Sequence, residues 1–158
     1  MNILLPEHQE FAKKLLEGKV EYILIGGYAV IFHGYMRTTG DMDIWLNPTN
    51  ENKEKLLSVL EIEGIVREDI EFLRKKDFTS ALAFHIGVPP VKIDFITRIS
   101  GVEFHEADRQ KVFFEADHSR IPVIHYNHLI SSKITSNRAK DKADVEELKK
   151  IREQGEKK

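Results

Sequence analysis

Two short stretches decide the fold of this sequence: Leu24-Ile25-Gly26-Gly27, which ends an apolar run, and, after thirteen further residues, Asp41-Met42-Asp43-Ile44-Trp45. The first predicts a buried strand that passes through two glycines into a helix. The second predicts a strand whose alternate residues share a face, so Asp41 and Asp43 point to the same side. Two adjacent carboxylates repel each other, and a hard divalent cation such as Mg²⁺ relieves that repulsion. We therefore expect a cation at this strand.

A third acid and the glycine pair extend this candidate site. Asp94 lies within the apolar stretch Val91–Thr97, where burial of an unpaired charge costs several kcal/mol. If that strand runs beside the strand of Asp41 and Asp43, the same cations compensate the negative charge of Asp94. At Gly26-Gly27, backbone N–H groups at the start of a helix attract phosphate, and the missing side chains allow a close approach. The combination predicts a nucleotide site with one or two Mg²⁺ ions.

Hairpins and helices alternate along the rest of the chain. This mixture predicts an α+β (mixed α/β) domain with a mixed sheet flanked by helices and a C-terminal helical segment. We expect a single domain over residues 1–153 and a frayed tail over 154–158. The predicted elements are strands at 20–25, 44–46 and 91–97, hairpins at 81–97 and 112–124, helices at 28–34 and 51–61, and a helix, break and helix from Asn127 to Arg152.

Composition excludes several classes of protein. The chain has 158 residues, no cysteine, and 24 basic against 26 acidic residues, for a net charge of −2. A chain of this length buries a core without disulfides or a structural metal. The lack of cysteine excludes zinc ribbons, iron–sulfur clusters and cysteine nucleophiles. The near-zero net charge argues against a protein that coats nucleic acid by charge alone.

Targeting signals and common catalytic motifs are missing as well. No apolar run approaches the roughly 20 residues that a membrane helix needs, and the N-terminus lacks a secretory signal pattern. We therefore expect a cytoplasmic protein with no membrane partner. The sequence also lacks the P-loop, the dinucleotide-binding glycine fingerprint, the zinc-protease His-Glu-x-x-His motif and the serine-hydrolase Gly-x-Ser-x-Gly motif.

The glycine pair, the Asp-x-Asp motif and the separate strand acid together resemble the nucleotidyltransferase superfamily of the DNA polymerase β type. Within that superfamily, the stretches at 37–43, 128–133 and 138–145 are similar to the bacterial nucleotidyltransferases grouped with abortive-infection toxins (AbiEii-like) of toxin–antitoxin systems. The resemblance runs from about Val20 to Leu148. It implies a nucleotidyltransferase-like fold and transfer of a nucleoside monophosphate from an NTP to a hydroxyl group, with release of pyrophosphate.

The resemblance also implies roles for individual residues and ligands. It implies two Mg²⁺ ions, an NTP substrate, an acceptor that is tRNA, a protein or a small molecule, and a cognate antitoxin as partner. It also implies that a polar cluster, which includes Asp141 and Asp144, follows Lys133 in the sequence. The implied catalytic and metal-binding residues are Asp41, Asp43 and Asp94, and the implied nucleotide-binding residues are Gly26, Gly27, Arg37, Thr39, Lys133 and Arg138.

Simpler interpretations of the same residues stay open. The glycines fit a tight turn without a ligand, and Asp43 fits a surface strand end paired with a lysine. Arg37 is suited to phosphate, to Asp41 or to a helix end, whereas Lys133 and the run from residue 140 to 158 fit a solvated helix surface. The competing function is a non-catalytic, nucleotide-binding or regulatory module of the same fold that binds a partner protein.

Overall fold

A mixed sheet with helices packed against it forms the fold. The computed structural model describes residues 3–156, within which there are six strands and seven helices. Their order is α1 (Pro6–Glu17), β1 (Tyr22–Ile25), α2 (Gly26–Phe32), β2 (Met42–Leu46), α3 (Asn50–Ile62), α4 (Arg67–Arg74), β3 (Ala83–Ile86), β4 (Ile93–Ile96), α5 (Phe104–Gln110), β5 (Val112–Ala116), β6 (Ser119–Val123), α6 (Tyr126–Ser136) and α7 (Ala139–Glu156).

The strands follow the order β3-β4-β2-β1-β6-β5 across the sheet. The pairs β1–β2, β3–β4 and β5–β6 are antiparallel, whereas β2–β4 and β1–β6 are parallel. Both predicted hairpins are therefore confirmed. The prediction of an α+β fold built on a mixed sheet is also confirmed.

Strand alternation separates the core from the candidate site. Met42 and Ile44 are fully buried in the core, and Asp43 between them points to the opposite face of the sheet. In the parallel pairing of β2 with β4, Asp43 lies directly opposite Asp94. The two acids that the sequence places 51 residues apart are thus neighbours on one face.

Turn and cap residues fix the helix ends near this sheet. The Thr49 hydroxyl accepts a hydrogen bond from the Asn52 backbone N–H at 3.0 Å and so caps α3, which ends just before Gly64 in the left-handed region at φ +86°. Helix α6 is capped by His125, whose ring accepts from the Asn127 backbone N–H at 3.0 Å.

Several expectations about helices need correction. The sequence analysis did not predict α4 and α5, because each is short and buries only two side chains along its length. The run after residue 140 was expected to be a solvated surface, yet Asp141, Asp144, Val145 and Leu148 of α7 are buried. Helix α7 continues to Glu156, beyond the predicted start of the tail, and residues 157–158 of that tail lie outside the described residues. The domain boundary itself stays a prediction.

Across residues 3–156, no helix combines the length and the apolar composition that crossing a membrane requires.

Candidate functional site

A cavity of about 820 Å³ opens where β1 ends and where β2 and β4 begin. Eight of the nine predicted site residues line it, and only Thr39 does not. The cavity also has an apolar wall formed by residues of β3, of β4 and the loop after it, and of α6. The predicted residues that line it are Gly26, Gly27, Arg37, Asp41, Asp43, Asp94, Lys133 and Arg138, and the apolar wall includes Ala83, Ile96, Ile99 and Leu129.

Three carboxylates form one end of the cavity. Asp41 immediately precedes β2, Asp43 lies within β2, and Asp94 stands opposite Asp43 on β4. Burial, together with the negative charges of Asp94 and Asp41, raises the pKa of Asp43 to about 6. The Lys140 ammonium and a hydrogen bond from the Gly27 backbone N–H act in the opposite direction. The repulsion that the sequence predicted is therefore present.

The glycine pair is needed for the close packing of this corner. Gly26 adopts φ +68°, and a Cβ atom there would stand 2.0 Å from Asp43 Oδ2. A Cβ atom on Gly27 would stand 2.2 Å from the Thr39 hydroxyl oxygen. The close approach of Asp43 and Thr39 to the strand-to-helix turn thus explains why both positions are occupied by glycine. A phosphate-binding role for them stays a prediction.

Replacement of Gly26 by alanine is expected to damage both stability and the site. The left-handed backbone alone costs a residue with a Cβ atom about 1–2 kcal/mol, and the new methyl group would push the Asp43 carboxylate away. Urea unfolding measures the decrease in the free energy of unfolding. Gly40→Ala is the control, because nothing lies within 4 Å of a Cβ atom there. Equal stability of the two variants would contradict this account.

A cationic cluster lines another part of the cavity, at the junction of α6 and α7, which we call its cationic end. Lys133 is 8% exposed, and its ammonium donates to Asp141 at 3.1 Å and to Asp144 at 3.0 Å. Arg37 donates to Asp144 at 3.2 Å, and Arg138 donates to Asp141 at 2.8 Å. Three cations against two carboxylates leave this end with one excess positive charge.

The cluster answers two of the open questions from the sequence. Lys133 is not a solvated lysine, because it is buried between two aspartates. Arg37 pairs with Asp144 and not with Asp41. Burial by itself would raise the pKa of Asp141, yet hydrogen bonds from Ser136, Arg138 and Lys133 hold that pKa below its usual value. Asp141 therefore remains a carboxylate and holds the Lys133 side chain beside the cavity.

The sequence analysis missed two further residues at the acidic end. Lys92 lies two residues before Asp94, and its ammonium is 3.4 Å from Asp94 Oδ1 and 3.8 Å from Asp41 Oδ2. His85 of β3 is directly opposite Asp94 in the antiparallel pairing and also lines the cavity. The spacing of Lys92 and Asp94 on one strand was a usable signal for the first, whereas His85 required the strand register.

The donor chemistry fits a hard divalent cation, since Asp41, Asp43 and Asp94 supply carboxylate oxygens on one face. Within the described part of the chain, no three His, Cys, Asp or Glu side chains are grouped closely enough to hold one metal ion together. The Lys92 ammonium instead lies within 4 Å of two of the three carboxylates. Shared coordination thus requires side-chain movement but no change of strand.

Comparison with known proteins identifies the fold. No family model matches the chain, and no curated protein matches it. Among solved structures, an inferred nucleotidyltransferase of Thermotoga maritima is 15% identical, with a TM-score of 0.59 over 95% of this chain and 91% of that one. The lincosamide antibiotic adenylyltransferase LnuA, solved with lincomycin bound, is 16% identical, with a TM-score of 0.58 over 96% of this chain and 99% of that one.

The chain has a nucleotidyltransferase-like fold. At identities of 15% and 16% the resemblance establishes the fold alone. Within this fold, the residues to which the resemblance assigns roles line one cavity, apart from Thr39. The particular similarity to abortive-infection toxins is not tested by these comparisons.

Proposed function

We propose that the protein is a Mg²⁺-dependent nucleotidyltransferase that moves a nucleoside monophosphate from an NTP to a hydroxyl group and releases pyrophosphate. The observation that carries this proposal is the register of Asp43 with Asp94 in a cavity that also has a cationic end. In a triphosphate with bound cations, the cations are complementary to the acidic end of the cavity and the phosphates are complementary to its cationic end. The nucleotidyltransferase-like fold supports the same reaction class.

In the proposed reaction Asp41, Asp43 and Asp94 are the residues that would hold Mg²⁺. Bound Mg²⁺ would supply charge neutralisation at the phosphates and would acidify the attacking hydroxyl. Asp94 accepts the proton from that hydroxyl as its oxygen bonds to the α-phosphorus. The bond from the α-phosphorus to the bridging oxygen breaks, and pyrophosphate leaves with that oxygen.

The cationic end is proposed to receive the triphosphate. Arg138 is exposed at the cavity and is placed to contact phosphate directly, while Lys133 and Arg37 add positive charge from behind their aspartate partners. The backbone at Gly26-Gly27 borders the same cavity and is proposed to approach the phosphates. The Gly27 N–H already donates to Asp43, so it would hold the acid in place.

We propose a small hydroxylated molecule as the first acceptor to test. The cavity has a volume typical of small-molecule sites, and its wall at Ala83, Ile96, Ile99 and Leu129 is apolar. LnuA, which shares the fold, was solved with the small molecule lincomycin bound. Transfer to tRNA or to a protein, as the resemblance to toxin-type relatives implies, is the competing outcome, and a cognate antitoxin would accompany it. The cytoplasm, which supplies NTPs, is the proposed location.

A labelling experiment tests the proposal. The protein is incubated with each α-³²P-labelled NTP, Mg²⁺ and a cell extract, and the small-molecule, RNA and protein fractions are then separated. We expect label in the small-molecule fraction and loss of that label with Asp41→Ala/Asp43→Ala. Asp108→Ala, an exposed carboxylate paired with Lys111 outside the cavity, should label as the wild type does.

Label that persists unchanged in the double variant would contradict catalysis by these acids. If the wild type labels nothing yet binds a partner protein from the extract, the non-catalytic module is the better description. Label in RNA or protein would retain the enzyme and change its acceptor.

A further inference from the structure

A lysine pairs with two of the carboxylates at the acidic end of the cavity. Lys92 precedes β4 and shares the cavity face with Asp94, because residues two apart on a strand point the same way. Its ammonium lies 3.4 Å from Asp94 Oδ1 and 3.8 Å from Asp41 Oδ2. It therefore stands between two carboxylates from different chain segments, in the space where a bound cation would neutralise them.

The geometry of these contacts indicates an exchangeable cation. Both distances exceed those of Lys111 with Asp108 and of Lys14 with Glu63, which are 2.7 Å and 2.8 Å. The Lys92 side chain is 27% exposed, so water reaches it along its flexible stem. An ammonium ion on four methylene groups moves at little cost and is readily rehydrated when it leaves.

The negative charge of the three carboxylates explains why the Lys92 ammonium is held beside them. Three carboxylates gather on one face, and burial makes the charge of Asp43 costly. Lys92 offsets part of that repulsion. A divalent ion offsets more, and it would repel an ammonium ion a few ångströms away. The same pocket of negative potential therefore suits either Lys92 or a metal ion, but not both together.

We propose that Lys92 is a tethered counter-ion that pairs with Asp41 and Asp94 at the acidic end of the cavity in the metal-free protein and moves away when a divalent cation binds. The inference rests on the proposed function, since it assumes that Asp41, Asp43 and Asp94 bind metal. It assigns Lys92 the role of a positioning residue: it lowers metal affinity, keeps the acids in place without metal, and accounts for the lack of a preformed three-carboxylate group.

Direct metal binding tests the inference without any measurement of transfer. Mn²⁺ titrations followed by electron paramagnetic resonance compare the wild type, Lys92→Met and Lys92→Arg. Removal of the competing charge should tighten Mn²⁺ binding about tenfold in Lys92→Met, whereas Lys92→Arg should remain close to wild type. Lys111→Met is the matched control, because the Lys111 side chain is 26% exposed and pairs with Asp108 away from the cavity.

Unchanged or weaker Mn²⁺ binding by a folded Lys92→Met protein would overturn the inference. Binding by Lys92→Met but not by the wild type would support it strongly. If neither protein binds Mn²⁺, the inference fails together with the metal site of the proposed function. A wild type that binds Mn²⁺ yet transfers no nucleotide would overturn only the proposed function.

A second measurement uses the wild-type protein and does not depend on the folding of a variant. Limited acetylation of lysines, read by mass spectrometry, is carried out with and without saturating Mg²⁺. We expect Mg²⁺ to increase acetylation of Lys92 several-fold as its ammonium is released, while Lys111 serves as the internal reference. Equal or lower reactivity of Lys92 in the presence of Mg²⁺ would show that it stays with the acids, and would overturn the inference.

Discussion

Replacement of Asp43 by asparagine is expected to abolish nucleotidyl transfer and, at the same time, to stabilise the metal-free protein at neutral pH. The loss of activity follows from the removal of a carboxylate that is proposed to bind both metal ions, and we expect a decrease of about 10³-fold or more. The gain in stability follows from the pKa of about 6, because the folded protein disfavours the charged form of this side chain.

Between about pH 4 and pH 6 the folded protein holds a proton on Asp43 that the unfolded chain has already released. The free energy of unfolding therefore falls as the pH rises through this window, and the destabilisation is complete above it. Asp43→Asn should raise the free energy of unfolding by about 1–3 kcal/mol at pH 7.5 and by almost nothing at pH 4.

Urea unfolding of the two proteins at both pH values, without metal, measures this difference. Asp108→Asn serves as the control, since its carboxylate is exposed and lies outside the cavity. A variant that is less stable than the wild type at pH 7.5 would contradict the proposed crowding of charge. Addition of Mg²⁺ should stabilise the wild type and have little effect on Asp43→Asn.

The second large effect is expected at Lys133. Lys133→Met would leave Asp141 and Asp144, which are 2% and 3% exposed, without their shared buried cation. Loss of one partner from a buried ion pair costs about 3–5 kcal/mol, because the remaining charge is left uncompensated. Arg37 and Arg138 each retain one of the aspartates, so we expect a loss near the lower limit of this range.

The midpoint of urea unfolding measures this loss. Lys150→Met is the matched control: Lys150 also lies on a helix beside an acid, 3.7 Å from Glu147, but its side chain is 65% exposed and should contribute less than about 0.5 kcal/mol. If Lys133→Met were as stable as Lys150→Met, the buried cluster would not hold α6 against α7.

The acidic end of the site was predictable because its signals are local. Asp41 and Asp43 share a face through a spacing of two, and Asp94 stands out as a lone charge in an apolar strand. The prediction that the two strands are neighbours was confirmed by their pairing. The catalytic and metal-binding roles of these acids stay predictions.

The cationic end was less predictable because it depends on tertiary contacts. Asn137, in the left-handed region at φ 57°, ends α6 and turns the chain so that α7 passes over Lys133. Only this turn brings Lys133 to Asp141 and Asp144, and it also gives Arg37 a partner 107 residues away. A run of alternating charges predicts an exposed helix, which most of α7 is, so the sequence did not indicate that Asp144, Val145 and Leu148 are buried.

The long sequence separation of the acids has a consequence for synthesis of the protein. Asp41 and Asp43 leave the ribosome early, but Asp94 joins them only when β4 pairs with β2. The cluster that holds α7 against α6 needs residues up to Asp144. Incomplete chains and fragments cut before that point therefore contain the acidic motif without a complete cavity. The complete cavity therefore forms only after synthesis has reached α7.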